Sequence, residues 1–259
     1  LALTINASKF VNLTPMPKHI TVAEGAYKLP ESYSINAKHL PDSICVEAEK
    51  FVQTILKTTG CKARITSKKK ADIEMSLDTN LPNEGYKLSV TKKKIQISAS
   101  TTSGFFYAFQ TIKKIMPAHV MAGLNPEQAQ AIIPTFQTDK RPTIPCVEIY
   151  DEPRFWYRGF MLDCGRHFFT VDEIKHILDG MAMYKMNYFH WHLTEDQGWR
   201  FEVKKYPRLT SIGSVASDCR MNDMEKGYYW LGKPYGPFFY TQEDCREIVE
   251  YARNLHIEV

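Results

Sequence analysis

Charged and polar side chains follow two predicted strands at the points where those strands end. The first strand ends at Cys164, and Arg166 comes two residues after it. The second ends at Leu193, with His192 just before that end and with Glu195 and Asp196 just after it. In a parallel βαβ unit both strand ends face the same way, and successive strands usually lie side by side. We therefore expect Arg166 to meet the residues of the second strand end at one edge of the sheet.

An arginine beside carboxylates is suited to holding a polyol. The guanidinium supplies up to five N–H donors, and ionised carboxylates accept hydrogen bonds from hydroxyl groups. The opposite charges also keep both partners ionised. The pattern predicts a substrate-binding site with these members: Arg166, His192, Glu195 and Asp196. A plainer interpretation of the same residues is an ion pair that closes the sheet edge.

Metal binding has weaker support in the sequence. His190 and His192 lie two residues apart in a strand, so both imidazoles point to one side and could ligate a metal. No third ligand is visible, and hydrogen-bonded structural histidines fit the pair better. The six cysteines never approach a Cys-x-x-Cys spacing, which leaves a structural zinc site or a dithiol redox centre unsupported. We predict no metal and no organic cofactor.

The elements that must position these residues alternate between strand and helix. Their order is a strand over 159–164, a helix over 171–185, a strand over 187–193 and a helix over 242–254. This order is typical of a parallel sheet with crossover helices. Thr170 and Glu173 have the spacing of a capping box, which predicts the start of the first helix.

The connection between residues 206 and 240 has no periodicity and exceeds the usual loop length of roughly 4 to 6 residues. It is rich in aromatic residues, namely Tyr228, Tyr229, Trp230, Tyr235, Phe238, Phe239 and Tyr240. These side chains either form a small core of the loop itself or form a wall of a binding cleft. The second interpretation follows because loops after parallel strands lie where ligands bind in such folds.

Residues 1–148 predict a separate α+β domain, in which an antiparallel sheet carries helices on one face. Helical periodicity covers residues 43–57, and a second helix stops at Pro117. Alternating apolar residues predict strands at 73–77, 86–90 and 95–99. The prolines between 134 and 145 mark the transition to a second domain over residues 149–259.

The composition is that of an ordinary globular protein, with 44% hydrophobic and 24% charged residues. No run approaches the roughly 18 apolar residues that a membrane span needs. Basic residues exceed acidic ones by 33 to 29, but the surplus is spread over short lysine runs, so nucleic-acid binding is not expected. No signal peptide is visible, although a chain that opens at Leu1 can have lost one. We expect a periplasmic or secreted location rather than a cytoplasmic one.

Several stretches resemble a known enzyme family. They include Arg-Gly-Phe-Met-Leu-Asp at 158–163, Arg-His-Phe-Phe at 166–169, His-Trp-His-Leu-Thr-Glu-Asp-Gln-Gly-Trp-Arg at 190–200, Gly-Tyr-Lys-Leu at 85–88 and Gly-Phe-Phe-Tyr-Ala-Phe-Gln-Thr at 104–111. Together they are similar to the β-N-acetylhexosaminidases of glycoside hydrolase family 20. Because these motifs are separate and occur in order over nearly the whole chain, the resemblance is specific.

The resemblance implies a fold, an activity and two residue roles. The fold is an α+β domain followed by a (β/α)8 TIM barrel, whose carboxyl-end face removes terminal β-linked N-acetylglucosamine or N-acetylgalactosamine from glycans. The family's arginine at the position of Arg166 binds hydroxyls of the non-reducing sugar, and the acid at the position of Glu195 supports it. The family commonly has Asp where this chain has Glu195, which leaves Asp196 able to share the role.

The resemblance also implies a catalytic Asp-Glu pair in a His-x-Gly-Gly-Asp-Glu-like motif, and this sequence contains no such motif. The second domain has about 110 residues, against the roughly 250 of a full barrel. We therefore expect a truncated barrel in an amino-terminal fragment of an enzyme, with the catalytic pair after Val259. Such a fragment should be inactive alone and able to self-associate through its open barrel edge. The alternative is a non-catalytic carbohydrate-binding or scaffold module.

Overall fold

The computed structural model describes residues 13–135, 141–225 and 227–259. The chain divides into two compact units, Leu1–Arg154 and Phe155–Val259. The boundary predicted between residues 148 and 149 falls inside a strand of the first unit, which continues to Asp151.

The first unit is built on a seven-stranded sheet with the order β1-β7-β5-β6-β4-β2-β3. Its strands are β1 (His19–Lys28), β2 (Ser32–Ile35), β3 (Lys62–Ile65), β4 (Ile73–Leu77), β5 (Tyr86–Val90), β6 (Ile95–Ala99) and β7 (Thr143–Asp151). The alternation in β5 and β6 buries every second residue, so one face of these strands belongs to the core.

The prediction of an antiparallel sheet is wrong, because the sheet is mixed. Strands β5 and β6 do form an antiparallel pair across the short turn between them. Strand β2 is parallel to both β3 and β4, however, and β4 is parallel to β6. A parallel pair needs a crossover connection, which a helix after β2 provides. Alternating hydrophobicity shows which face of a strand is buried and says nothing about the direction of the strand.

Four helices accompany this sheet: α1 (Asp42–Thr59), α2 (Thr102–Ile115), α3 (Ala118–Met121) and α4 (Pro126–Ile132). Helix α1 is the crossover between β2 and β3, and α2 packs on both α1 and the sheet. The rings of Phe51 and Phe109 stack between these two helices with centroids 4.6 Å apart. Thr101 caps α2, because its side chain accepts a hydrogen bond from the amide of Gly104.

The second unit contains the predicted order of strand, helix, strand and helix. These elements are β8 (Gly159–Asp163), α5 (Val171–Met183), β9 (Tyr188–His192) and α7 (Gln242–Arg253). The capping box of Thr170 and Glu173 is confirmed at the start of α5. Strands β8 and β9 are parallel, and after α7 the chain returns to form a parallel bridge between Glu258 and Tyr188. Because β8 and β9 are parallel, their carboxyl ends lie at the same edge of the sheet.

The long connection between β9 and α7 contains short elements that periodicity does not reveal. They are β10 (Thr194–Glu195), β11 (Gly198–Trp199), α6 (Arg208–Ser211), β12 (Arg220–Asp223) and β13 (Gly227–Trp230). The strands form two hairpins, β10 with β11 and β12 with β13.

The aromatic residues of this connection fall into two groups. Phe238 and Tyr240 stack on Phe168, which follows β8 and lies outside the connection, with ring centroids 5.2 and 4.7 Å apart. Tyr228 and Trp230 lie on β13 and are 69% and 67% exposed.

Within the described ranges, no helix combines the length and the apolar character needed to cross a membrane.

Candidate functional site

The ends of β8 and β9 lie side by side because Asp163 is the register partner of His192. Arg166 follows β8 after a short turn, in which the Asp163 carboxylate accepts hydrogen bonds from the amides of Gly165 and Arg166. After β9, the β10–β11 hairpin turns the chain back, since Glu195 pairs with Gly198 across it. Local backbone geometry thus brings the two strand ends together.

The guanidinium of Arg166 has a partner at each of its nitrogens. Nη2 lies 2.9 Å from Oε2 of Glu195, and Nη1 forms an ion pair with the Asp163 carboxylate. Nε donates to Oε1 of Gln197 over 3.0 Å. The Arg166 side chain nevertheless remains 57% exposed. The group is therefore fixed in orientation while one side of it stays open to a ligand.

His192 lies between the two carboxylates that hold Arg166. Its Nδ1 is 3.8 Å from Oδ1 of Asp163, and its Nε2 is 3.7 Å from Oε2 of Glu195. Both distances exceed an ordinary hydrogen bond. His192 thus contacts both carboxylates without hydrogen-bonding to either. Together, His192, Asp163 and Glu195 form one cluster around the guanidinium of Arg166.

One atom from each of Asp163, His192 and Glu195 lies within 4.8 Å of the others, which is close enough for a shared metal ion. The two carboxylates already face the positive charge of Arg166, which opposes a second cation at the same place. His190 is exposed and is not a member of this group. The donor set suits a neutral polyol better than a cation, because it offers fixed donors and acceptors side by side.

The ion pair between Arg166 and Asp163 perturbs both groups. The hydrogen bond to Asp163 is the largest cause that raises the pKa of Arg166. Burial pushes the pKa of Asp163 upward, but the hydrogen bonds and charge of Arg166 outweigh it and hold that pKa below its ordinary value. Both groups are therefore charged at neutral pH.

Asp196 lies apart from this cluster. It is exposed in the two-residue turn of the β10–β11 hairpin, and the ion pairs found among the described residues do not include it. Its charge adds to the field that raises the pKa of Arg166, after larger contributions from Asp163 and Glu195. Of the four residues predicted to form the site, the structure brings together Arg166, His192 and Glu195.

A second arginine, Arg200, holds the main chain that precedes Arg166. Arg200 is fully buried, and its guanidinium donates to four main-chain carbonyls. These acceptors are Cys164 at 3.1 Å, Gly165 at 2.8 Å, Ser214 at 2.7 Å and Phe238 at 2.9 Å. Two of them immediately precede Arg166, so Arg200 fixes the main chain on which Arg166 sits.

Sequence reasoning missed three contributors to this arrangement, namely Asp163, Gln197 and Arg200. The position of Asp163 at a strand end, three residues before Arg166, was a usable signal. No such signal pointed to Gln197, since its contact with Arg166 depends on the turn of the β10–β11 hairpin. Arg200 gave none either, because an arginine is normally exposed and its type argues against complete burial.

Two family models match the chain. The model described as Glycosyl hydrolase family 20, domain 2, matches residues 11–152. The model described as Glycosyl hydrolase family 20, catalytic domain, matches residues 155–259. The chain belongs to glycosyl hydrolase family 20. Its candidate site lies within the match to the family 20 catalytic domain.

Curated relatives agree with this family. The beta-hexosaminidase of Porphyromonas gingivalis is 37% identical over an alignment 264 residues long, which covers 97% of this chain and 30% of the relative. The beta-hexosaminidase of Vibrio furnissii is 33% identical over 257 residues, which cover 96% of this chain and 36% of the relative. The family 20 chain therefore spans about a third of the length of these two relatives.

Solved structures of family 20 enzymes have the same fold over the matched part. The N-acetyl-beta-hexosaminidase of Streptomyces plicatus gives a TM-score of 0.77 at 27% identity, over 95% of this chain and 44% of that one. The family 20 exo-beta-N-acetylglucosaminidase of Vibrio harveyi, in complex with N-acetylglucosamine, gives 0.75 at 30% identity, over 95% and 35%. The likeness extends across both units of the chain.

Proposed function

We propose that the full-length protein hydrolyses terminal β-linked N-acetylglucosamine or N-acetylgalactosamine from glycans. The observation that carries this proposal is the ion pair of Arg166 and Glu195, 2.9 Å apart at the carboxyl ends of two parallel strands. Family membership supports glycoside hydrolysis, and the Vibrio harveyi relative is described in complex with N-acetylglucosamine.

The geometry suits recognition of the hydroxyls of a terminal sugar. Arg166 is held by Asp163, Glu195 and Gln197, so little side-chain freedom is lost when a ligand binds. Its open side presents charged donors, and the neighbouring carboxylates present acceptors. In this proposal Arg166 binds sugar hydroxyls, Glu195 orients Arg166, and His192 lines the same site.

The chemical step is proposed to follow the substrate-assisted route with retention of configuration. The 2-acetamido group of the substrate acts as the nucleophile, an Asp polarises it, and an adjacent Glu protonates the leaving oxygen. We place this Asp-Glu pair after Val259, on a later strand of a (β/α)8 barrel that begins with β8 and β9. The residues described above then bind substrate and carry out no proton transfer.

The test is the effect of Arg166→Ala on the full-length protein, assayed with an aryl N-acetyl-β-glucosaminide. We expect kcat/KM to fall about tenfold to a hundredfold, because a charged hydrogen-bond donor to the substrate is lost. Arg253→Ala is the matched control. Like Arg166, Arg253 pairs with an acid three residues earlier, Glu250, but it lies on the exposed surface of α7.

Each outcome decides a different part of the proposal. Unchanged kinetics for Arg166→Ala would remove this residue from the site. Binding of N-acetylglucosamine by the full-length protein without any hydrolysis would contradict the proposed reaction and leave a carbohydrate-binding protein.

A further inference from the structure

Gly165 lies between the end of β8 and Arg166, directly against the side chain of Glu195. A Cβ atom on Gly165 would lie 2.8 Å from Cγ, 3.1 Å from Cδ and 3.2 Å from Oε1 of Glu195. Carbon atoms that are not bonded are in favourable contact at about 3.5 to 4.0 Å. Any side chain at position 165 would therefore collide with the stem and carboxylate of Glu195.

The main chain does not by itself require glycine at this position. The φ angle of Gly165 lies outside the left-handed region that favours glycine. Its amide donates to Oδ1 of Asp163 over 3.0 Å, and its carbonyl accepts from Nη2 of Arg200 over 2.8 Å. Because Arg200 is fully buried, these two bonds hold the main chain in place. A side chain added at 165 would have to displace Glu195 instead.

Glu195 depends on this free space for its position. Its side chain is only 13% exposed, and Oε2 makes the ion pair with Arg166. Its other oxygen, Oε1, is buried without a hydrogen-bond partner among the described residues. Contact with the bare main chain at Gly165, rather than a hydrogen bond, therefore fixes this side of the carboxylate.

We propose that Gly165 is a positioning residue for the sugar-binding arginine. The missing side chain lets Glu195 occupy the place from which Oε2 orients the guanidinium of Arg166. The inference rests on the proposed function, since it concerns the affinity of the same site for its sugar. Alanine at 165 would weaken substrate binding without touching the substrate.

The test compares two glycine-to-alanine variants of the full-length protein on an aryl N-acetyl-β-glucosaminide. Gly180 is the matched control, because a Cβ there meets no atom within 4 Å. We expect Gly165→Ala to lower kcat/KM about tenfold or more, mainly through KM, and Gly180→Ala to leave it unchanged. In a Glu195→Ala background the colliding atoms are absent, so Gly165→Ala should cost nothing further.

An equal loss from Gly165→Ala in both backgrounds would show that the substitution acts on the fold and not through Glu195, and would overturn the proposal. A crystal structure of Gly165→Ala in which Nη2 of Arg166 and Oε2 of Glu195 stay 2.9 Å apart would overturn it too. A wild-type protein without hydrolytic activity refutes the proposed function instead. In that case the crystal structure of the variant still decides the positioning role.

Discussion

Of two adjacent acidic residues, Glu195 contacts Arg166 and Asp196 faces solvent. We predict that Glu195→Gln lowers kcat/KM of the full-length protein about tenfold or more toward an aryl N-acetylglucosaminide, because the guanidinium loses a charged partner. The equally conservative Asp196→Asn should cost less than about threefold, since exposed charges contribute little. Similar losses from both variants would show that Asp196 shares the role of Glu195.

Asp163 determines how the site responds to acid. Its pKa is depressed, so the stabilising pair with Arg166 is intact above the ordinary Asp pKa of about 3.9 and is lost as pH falls through the folded value. We predict that Asp163→Asn lowers the melting temperature at neutral pH, and that this difference from wild type disappears only below about pH 4. Differential scanning fluorimetry across this range measures it. A difference that persists undiminished in acid would show that the Asp163 charge is not its source.

At the residue scale, the sequence predicts the meeting of Arg166 with Glu195 because strand-end geometry follows from a parallel connection. It does not predict which of two adjacent acids makes the contact. That choice depends on the register of the β10–β11 hairpin, where Glu195 pairs with Gly198 and Asp196 occupies the turn. The binding roles of His192 and Asp196 stay predictions.

At the scale of elements, Arg200 joins three separate segments of the second unit. Its four carbonyl partners lie just after β8, after α6 and just before α7. Burial lowers the pKa of Arg200, and its guanidinium is hydrogen-bonded to four main-chain carbonyls. Periodicity cannot reveal such a contact, because it depends on loops that have no period.

We predict that Arg200→Met destabilises the full-length protein by about 3 kcal/mol or more, because buried carbonyls lose their donors. The activity should also fall, since the main chain before Arg166 is released. Thermal unfolding and kcat/KM measure the two effects. Arg253→Met, which changes an arginine that is 72% exposed, should alter neither. An Arg200→Met protein with unchanged melting temperature would contradict the supporting role.

Element types were easier to predict than strand directions. Thr170 and Glu173 begin α5 because a capping box satisfies two amides of the first turn, which is a local property. The parallel pairing of β2 with β3 and β4 depends on which strands the fold brings together. The mixed sheet could therefore not be read from alternation, although three of its seven strands, β4, β5 and β6, could.

At the scale of the whole molecule, we propose that residues 1–259 bind the substrate and that a separate Asp-Glu pair carries out the chemical step. This proposal predicts the behaviour of the 259-residue chain alone. We expect no release of N-acetylglucosamine, because general acid catalysis alone is worth roughly 10² to 10⁴-fold and we propose that the acid is not among residues 1–259. The assay uses this chain purified free of longer species. Turnover near that of the full-length protein would show that acids within residues 1–259 carry out the chemistry.

The most direct test of the account is a crystal structure of the full-length protein with N-acetylglucosamine bound. The account predicts sugar hydroxyls within hydrogen-bond distance, about 3 Å, of the Arg166 guanidinium, with the Glu195 carboxylate still paired to it. A sugar bound elsewhere, with Arg166 and Glu195 facing solvent, would contradict the central claim.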